Sequence, residues 1–341
     1  MGYKNDIFEA ALSDLPWKRL CGKNILIIGA TGLIGGCVVD ILMSRKDIDY
    51  NVYASGRNAK RAQKRFKHYL ESKHFHFFCQ DIRERIISDI DFNFIIDAAS
   101  GASPQIYDTD PVGVVKSNIL GVANLIDYGI GHHLEKFVYV SSGEVYGEGD
   151  GRTFTEDYSG YVNPMNSRSC YPSAKRAAET LCASYAHQYG TDVSVARPSH
   201  IYGPHFTESD NRVYAQFIRN ILANEDIVMK SKGLQFRSWC YVVDCAKALL
   251  YILFNGKNGE AYNIADSKSN ITIKELAELI AEIGNKKVNM MLSEKKEAGG
   301  SPITKAVFDT TKLENIGWSI TNDMKSKMTS TINEQKNYEN D

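Results

Sequence analysis

The chain has 341 residues, with 40 basic and 41 acidic side chains and a formal net charge of −1. That length suits one large domain or about two, and the even charge argues against a bulk electrostatic pull toward nucleic acid or an anionic membrane. Seven scattered cysteines without a Cys-x-x-Cys pair make a disulfide framework or a metal site a poor expectation and suit a reducing cytoplasm, and no apolar run approaches the ~20 residues of a membrane span.

Near the start, Ile7, Phe8, Ala11, Leu12 and Leu15 recur at helical spacing among charges, which predicts an amphipathic helix laid on the domain over residues 1–20 and no export signal. Asn24 to Ile28 then forms a continuously apolar run rich in β-branched residues. It is cut by Gly29-Ala-Thr-Gly32-Leu-Ile-Gly35-Gly36 and followed by an apolar helical stretch from Val38 to Met43. A strand apolar on both faces belongs inside a parallel sheet. Glycines between such a strand and a helix let backbone approach a pyrophosphate at the helix amino terminus, so Gly29, Thr31, Gly32, Leu33, Ile34 and Gly35 are expected to hold a dinucleotide.

The unit repeats. Strands are expected at Asn51 to Ser55, Phe75 to Cys79 and Phe94 to Ala98, with a basic helix over Ala59 to Leu70. Strands alternating with helices give a doubly wound parallel sheet. The end of the second strand, where an acid usually holds the adenosine ribose, carries Gly56 and Arg57; Arg57 either pairs with a 2′-phosphate, which brings NADP into consideration beside NAD, or stacks on adenine. Asp81 and Ile82 are placed to meet the adenine edge. Ala98, Ala99 and Ser100 open a small-residue loop that lets a nicotinamide ribose lie close to backbone. Asn118, in a long helix beginning at Asp110-Pro111, either is solvated or holds the site's backbone.

Lys136 to Ser142 is the next strand, ending in Ser141-Ser142-Gly143-Glu144. Downstream of Cys170-Tyr171-Pro, Ser173 to Tyr189 is expected to be helical, and Tyr171 and Lys175, four apart, share a face if the helix includes both. A nearby ammonium is expected to lower the phenol from ~10 so that Tyr171 serves as a base. Pro198, ending a sixth strand from Asp192, joins the cofactor set with Tyr171 and Lys175. Beyond it the rhythm breaks: a polar loop over residues 199–211, a helix over Val213 to Ala223, a strand-like Asp226 to Lys230, apolar structure through Gln235 to Asp244, a helix over Ala246 to Phe254, a strand at Ala261 to Ile264, an amphipathic helix at Ile273 to Ile283, and a polar, frayed segment from Lys325 to Asp341.

With Gly29, Gly32, Gly35, Ser142, Tyr171 and Lys175 in this order, the chain from about Lys23 to Trp318 resembles the extended short-chain dehydrogenase/reductase family, the nucleotide-sugar epimerases and dehydratases. The resemblance implies a Rossmann-like doubly wound α/β sheet with a smaller carboxy-terminal α/β substrate lobe. It places the dinucleotide domain at 1–197, with 236–264 returning to it, and the substrate lobe at 198–235 and 265–341. It implies catalytic roles for Ser142, Glu144, Tyr171 and Lys175, with hydride passing from a sugar C4 to NAD. It also implies that Lys175 binds the nicotinamide ribose, that the substrate is a nucleotide-diphosphate sugar, and that Val112 to Tyr128 and Ser173 to Tyr189 pair two subunits as a homodimer.

The segments Ala99 to Pro104, Asn163 to Thr180 and Asp210 to Val213 look most like UDP-glucuronate decarboxylases, with dTDP-glucose 4,6-dehydratases next. Dehydratases carry an acid where this chain has Gly143, and removing water needs such a donor, whereas a 4-keto uronic acid loses carbon dioxide without one. Gly56 departs from the family's Asp, and His200 stands where the family commonly has Asn; a His there can titrate. Ser103, Ser142, Gly143, His200, Arg212 and Arg237 are the expected substrate contacts, Arg237 toward the diphosphate. Dehydration, C4 epimerisation, an NADPH-dependent ketosugar reduction and a non-catalytic dinucleotide sensor stand as alternatives.

Overall fold

The computed structural model describes residues 2–291, 303–320 and 323–340. In chain order it runs α1 (Tyr3–Ala11), a short 3₁₀ turn, β1 (Asn24–Ile28), α2 (Leu33–Ser44), β2 (Asn51–Gly56), α3 (Ala59–Arg65), β3 (Phe75–Cys79), β4 (Phe94–Asp97), α4 (Pro104–Thr109), α5 (Pro111–Ile130) and β5 (Lys136–Val140). There follow α6 (Cys170–Tyr189), β6 (Val193–Pro198), β7 (His200–Tyr202), α7 (Val213–Leu222), β8 (Ile227–Met229), β9 (Phe236–Tyr241), α8 (Val242–Asn255), β10 (Glu260–Ile264) and β11 (Asp266–Thr272). The last elements are α9 (Ile273–Ile283), β12 (Val288–Met290), β13 (Lys305–Ala306), α10 (Thr311–Glu314) and α11 (Met324–Asn340). Among the described residues no helix is long and apolar enough to cross a membrane.

Seven parallel strands form the main sheet in the order β10-β6-β5-β4-β1-β2-β3. The continuously apolar strands are explained by burial on both faces. Along β1, Ile25 and Ile27 enter the core shared with α1, α2 and α8, while Leu26 and Ile28 enter the one beneath α5 and α6. Each such side chain contributes about 1.5–3 kcal/mol by leaving water. Because β1 has β2 on one side and β4 on the other, the strand order reverses there, and the crevice beyond the strand ends is where ligands bind in sheets of this kind.

Smaller sheets sit beyond this edge: β9 pairs with β7, β11 and β13, and β8 with β12. Two expectations are corrected here. The segment after Pro198 is not all loop, since His200–Tyr202 is a strand along β9 with Ile201 and Tyr202 buried; three residues are too few to show a period. The polar segment from Lys325 is not frayed either. It lies in α11, where Lys327, Met328, Thr331 and Gln335 are buried. Its anchors are polar: Lys327 Nζ reaches Asp6 Oδ1 at 2.6 Å, and Gln335 Oε1 accepts from the His205 backbone N–H at 2.7 Å. A hydropathy reading has no way to see burial of that kind.

Candidate active site

At the carboxyl ends of β1, β2 and β4 lies a cleft of about 550 Å³. Gly29, Thr31, Gly32, Arg57, Asp81, Ile82, Ala98, Ala99 and Ser100 all line it. Gly29 has φ +74°, and a Cβ there would sit 2.7 Å from the Ala98 carbonyl carbon, so only glycine lets the turn pass the β4 loop. At Gly35 a Cβ would fall 2.5 Å from the Gly29 carbonyl oxygen, which brings the start of α2 hard against the turn. Leu33 and Ile34 open α2 and pack on the core under the turn, away from the cleft lining. Asp81 is tied to Arg83, whose hydrogen bonds hold its carboxyl down at about 2.

Asn118 is buried in α5. Its amide nitrogen donates to the Val114 carbonyl at 2.8 Å and to Ser100 Oγ at 3.3 Å, and its oxygen accepts from the Tyr139 hydroxyl at 2.9 Å. It therefore joins the β4 loop to β5. Its burial overturns the solvated reading of Asn118, and its partners outside α5 are the Ser100 and Tyr139 side chains. Pro198 is buried at the end of β6 opposite Ile264, and Ser103 precedes α4, outside the cleft lining.

Beyond β5, Ser142 caps a 3₁₀ turn over Gly143–Tyr146 by accepting from the Glu144 backbone N–H at 3.2 Å, and its hydroxyl lies near enough to the Tyr171 phenol to favour the phenolate. Tyr171 and Lys175 sit one turn apart in α6, 6% and 1% exposed. The expected effect of the lysine on the phenol is absent: Tyr171 is pushed up to about 12. Burial is the main cause; Ser142, Arg212 and Arg168 pull it down and Glu144 pushes it up. Lys175 faces elsewhere. Its Nζ donates to the Val140 carbonyl at 2.8 Å, lies 4.5 Å from the Tyr139 ring centre, and is 5.8 Å from that of Tyr171. Burial drives Lys175 down and nearby Asp97 up, each partly offsetting the other.

Glu144 forms a two-pronged ion pair with Arg168, at 2.8 and 3.0 Å. The Arg168 guanidinium lies 4.5 Å over the Tyr107 ring, which stacks on Tyr171 at 4.9 Å. Gly143 presses on Phe308: a Cβ there would meet the ring at 2.2 Å, so the missing acid is also sterically excluded as the chain is packed. His200 lies against Trp239 with ring centres 5.4 Å apart. Burial first, then Arg237 and Arg212, push it down to about 3, so it stays neutral where a titrating histidine was expected. Arg237, the second residue of β9, is buried and donates to the Ile303 and Phe236 carbonyls; burial pushes it down to about 10. Arg212 pairs with Asp210 and touches the Tyr214 hydroxyl at 3.2 Å.

The structure thus places Ser142, Glu144 and Arg212 near enough to act on the Tyr171 phenol, while Lys175 turns to the Val140 carbonyl. Sequence reasoning passed over Tyr107, Arg168 and Phe308. Asp97 left a visible signal, an acid closing an otherwise apolar strand. Arg168, three residues before Tyr171, left only its spacing.

Residues 25–265 match the profile of the NAD-dependent epimerase/dehydratase family. UDP-glucuronic acid decarboxylase 5 of Arabidopsis thaliana is 31% identical over 312 residues, 90% of this chain and 88% of the relative. UDP-glucuronic acid decarboxylase 6 of the same plant is 33% identical over 263 residues, 76% and 74% of the two chains. Among solved structures, dTDP-glucose 4,6-dehydratase of Bacillus anthracis in complex with NAD superposes with a TM-score of 0.78 at 22% identity, covering 93% of this chain and 98% of that one. UDP-glucuronic acid 4-epimerase of Bacillus cereus, with UDP-glucuronic acid and NAD, gives 0.78 at 21%, covering 92% and 99%.

Proposed function

The chain belongs to the NAD-dependent epimerase/dehydratase family, and from that premise we propose that it modifies a nucleotide-diphosphate sugar through transient oxidation at C4, most in the manner of a UDP-glucuronate decarboxylase. The observation that carries this reading is a Ser142 hydroxyl set near the Tyr171 phenol, beside a Gly143 whose place for an acid is filled by Phe308. The glycine cradle fits a dinucleotide, since a side chain at Gly29 would run into the β4 loop and one at Gly35 into the Gly29 carbonyl. When bound, its nicotinamide supplies the acceptor and donor of hydride.

Tyr171 takes the proton of the sugar hydroxyl and later returns it, and Ser142 fixes the phenol's direction. Arg212 and Arg168 favour the phenolate, which burial and Glu144 oppose. Lys175 holds β5 through Val140, and its remaining donors would bind the nicotinamide ribose. A 4-keto uronic acid then sheds carbon dioxide because its own ketone receives the electron pair, with no acid needed at residue 143. Arg168 holds the Glu144 carboxylate in place through a two-pronged ion pair.

Incubation with UDP-, dTDP-, GDP- and CDP-sugars and measurement of product masses tests this. Loss of carbon dioxide from UDP-glucuronate is expected; loss of water or an unchanged mass on every substrate that is turned over overturns the decarboxylase assignment. We also assign the protein to the cytoplasm and its working form to a homodimer through α5 and α6, where Val112, Leu120, Ile130 and Tyr189 are exposed. Light scattering after gel filtration tests the dimer, and a monomer mass refutes it.

A further inference from the structure

The end of β2 carries cations where an adenosine ribose would call for an acid. Gly56 closes that strand, and a Cβ there would lie 3.0 Å from Thr31 Oγ1, so the hydroxyl of the glycine-rich turn occupies the space a carboxylate side chain would need. Immediately after it come Arg57 and, as the third residue of α3, Arg61, both exposed and both lining the cleft. Asn58 sets their spacing, because its side-chain oxygen accepts from the Arg61 backbone N–H at 2.9 Å.

The two acids on the same cleft are already committed. Asp81 is chelated by Arg83 at 2.5 to 3.1 Å, and Asp110 accepts from the Gly113 N–H at 2.9 Å. Neither Arg57 nor Arg61 forms an ion pair or hydrogen bond with a carboxylate among the described residues, Arg57 acting on the Arg83-held Asp81 only at longer range, and α3, Ala-Lys-Arg-Ala-Gln-Lys-Arg, contains no acid. A carboxylate at this place binds ribose hydroxyls and repels a 2′-phosphate; guanidinium groups without an acid reverse that preference.

We propose that the cleft is built for a 2′-phosphorylated dinucleotide, NADP(H), with Arg57 as the main contact to the phosphate and Arg61 as the second. The inference rests on the reading of the cleft as a dinucleotide site. Both arginines are solvent-facing in the structure, so replacing them leaves the core untouched.

Calorimetric titration of the purified protein with NADP+ and with NAD+ tests it by affinity, apart from turnover. NADP+ is expected to bind at least about tenfold tighter. Arg57→Ala should weaken NADP+ by about tenfold or more and leave NAD+ within about twofold, and Arg61→Ala should do the same to a smaller degree. Equal affinities, or tighter NAD+, overturn the 2′-phosphate site while leaving the dinucleotide site standing. So does an Arg57→Ala protein weakened alike toward both, the mark of an arginine that only stacks on adenine. No binding of either nucleotide overturns the reading of the cleft itself.

Discussion

Replacing His200 with Asn should flatten the acid side of the stability profile. In the folded protein the imidazole lies against Trp239 near Arg237 and Arg212, its Nδ1 has no hydrogen-bond partner among the described residues, and burial followed by the two arginines pushes it down to about 3. In an unfolded chain it takes a proton near ~6.5. Between those values the unfolded state holds more protons, so stability rises with pH, and His200's contribution is lost as pH falls below the unfolded value. At pH 5 the loss relative to pH 8 comes to about 2 kcal/mol, from ~1.5 pH units at 1.36 kcal/mol each. Urea unfolding of wild type and His200→Asn, followed by tryptophan fluorescence at both pH values, isolates the term, because every other titrating group cancels in the double difference. Wild type should lose about 2 kcal/mol more than the variant on acidification. A double difference under about 0.5 kcal/mol, or one of opposite sign, refutes the argument, as would an NMR titration placing His200 in the folded protein near ~6.5.

Tyr171→Phe should cut turnover by about 10²–10⁴-fold while nucleotide-sugar affinity, measured by calorimetry, changes little; comparable turnover would remove Tyr171 as the proton carrier. Gly143→Ala drives a methyl into the Phe308 ring and should cost about 1–3 kcal/mol in thermal or urea unfolding, with part recovered in Gly143→Ala/Phe308→Leu. An unchanged single variant would mean that the ring moves freely. Arg168→Ala removes a cation that lowers the Tyr171 phenol and unpairs Glu144, which raises it, so the limb of the kcat profile that rises with pH should move to higher pH. Arg168→Lys should restore part of the shift, and a profile displaced downward would contradict the assigned signs.

The sheet was legible because its strands are buried on both faces: Ile25 to Ile28 are apolar at every position, and a run of that kind bounded by glycine needs no partner to be recognised. Ser142, Tyr171 and Lys175 were findable for a related reason, since one strand end and one helical turn carry them. Electrostatics was not legible. Spacing places Lys175 on the same face as Tyr171, yet its ammonium turns to Val140 and Asp97, and burial, a property of the packed whole, decides where the phenol titrates. Phe308 reaches Gly143 across 165 residues, and nothing local to either announces the other. The buried face of α11 escaped because its contacts are made by Lys327, Thr331 and Gln335, which hydropathy scores as solvent.

The bond between Asp6 and Lys327 joins residues 321 positions apart, and Tyr241 also donates to that carboxylate at 3.1 Å. Closing so long a loop costs entropy before any contact repays it, so this corner should form after the sheet. On a ribosome adding ~5–20 residues per second, Asp6 waits roughly 15 to 60 s for its ammonium. Until then, docking α1 would bury a carboxylate without its cation, a state that costs about 3–5 kcal/mol when one partner of such a pair is missing. Although made long before α11, α1 is therefore expected to be among the last elements locked down, and a protease added during synthesis should find it open long after the central strands have closed.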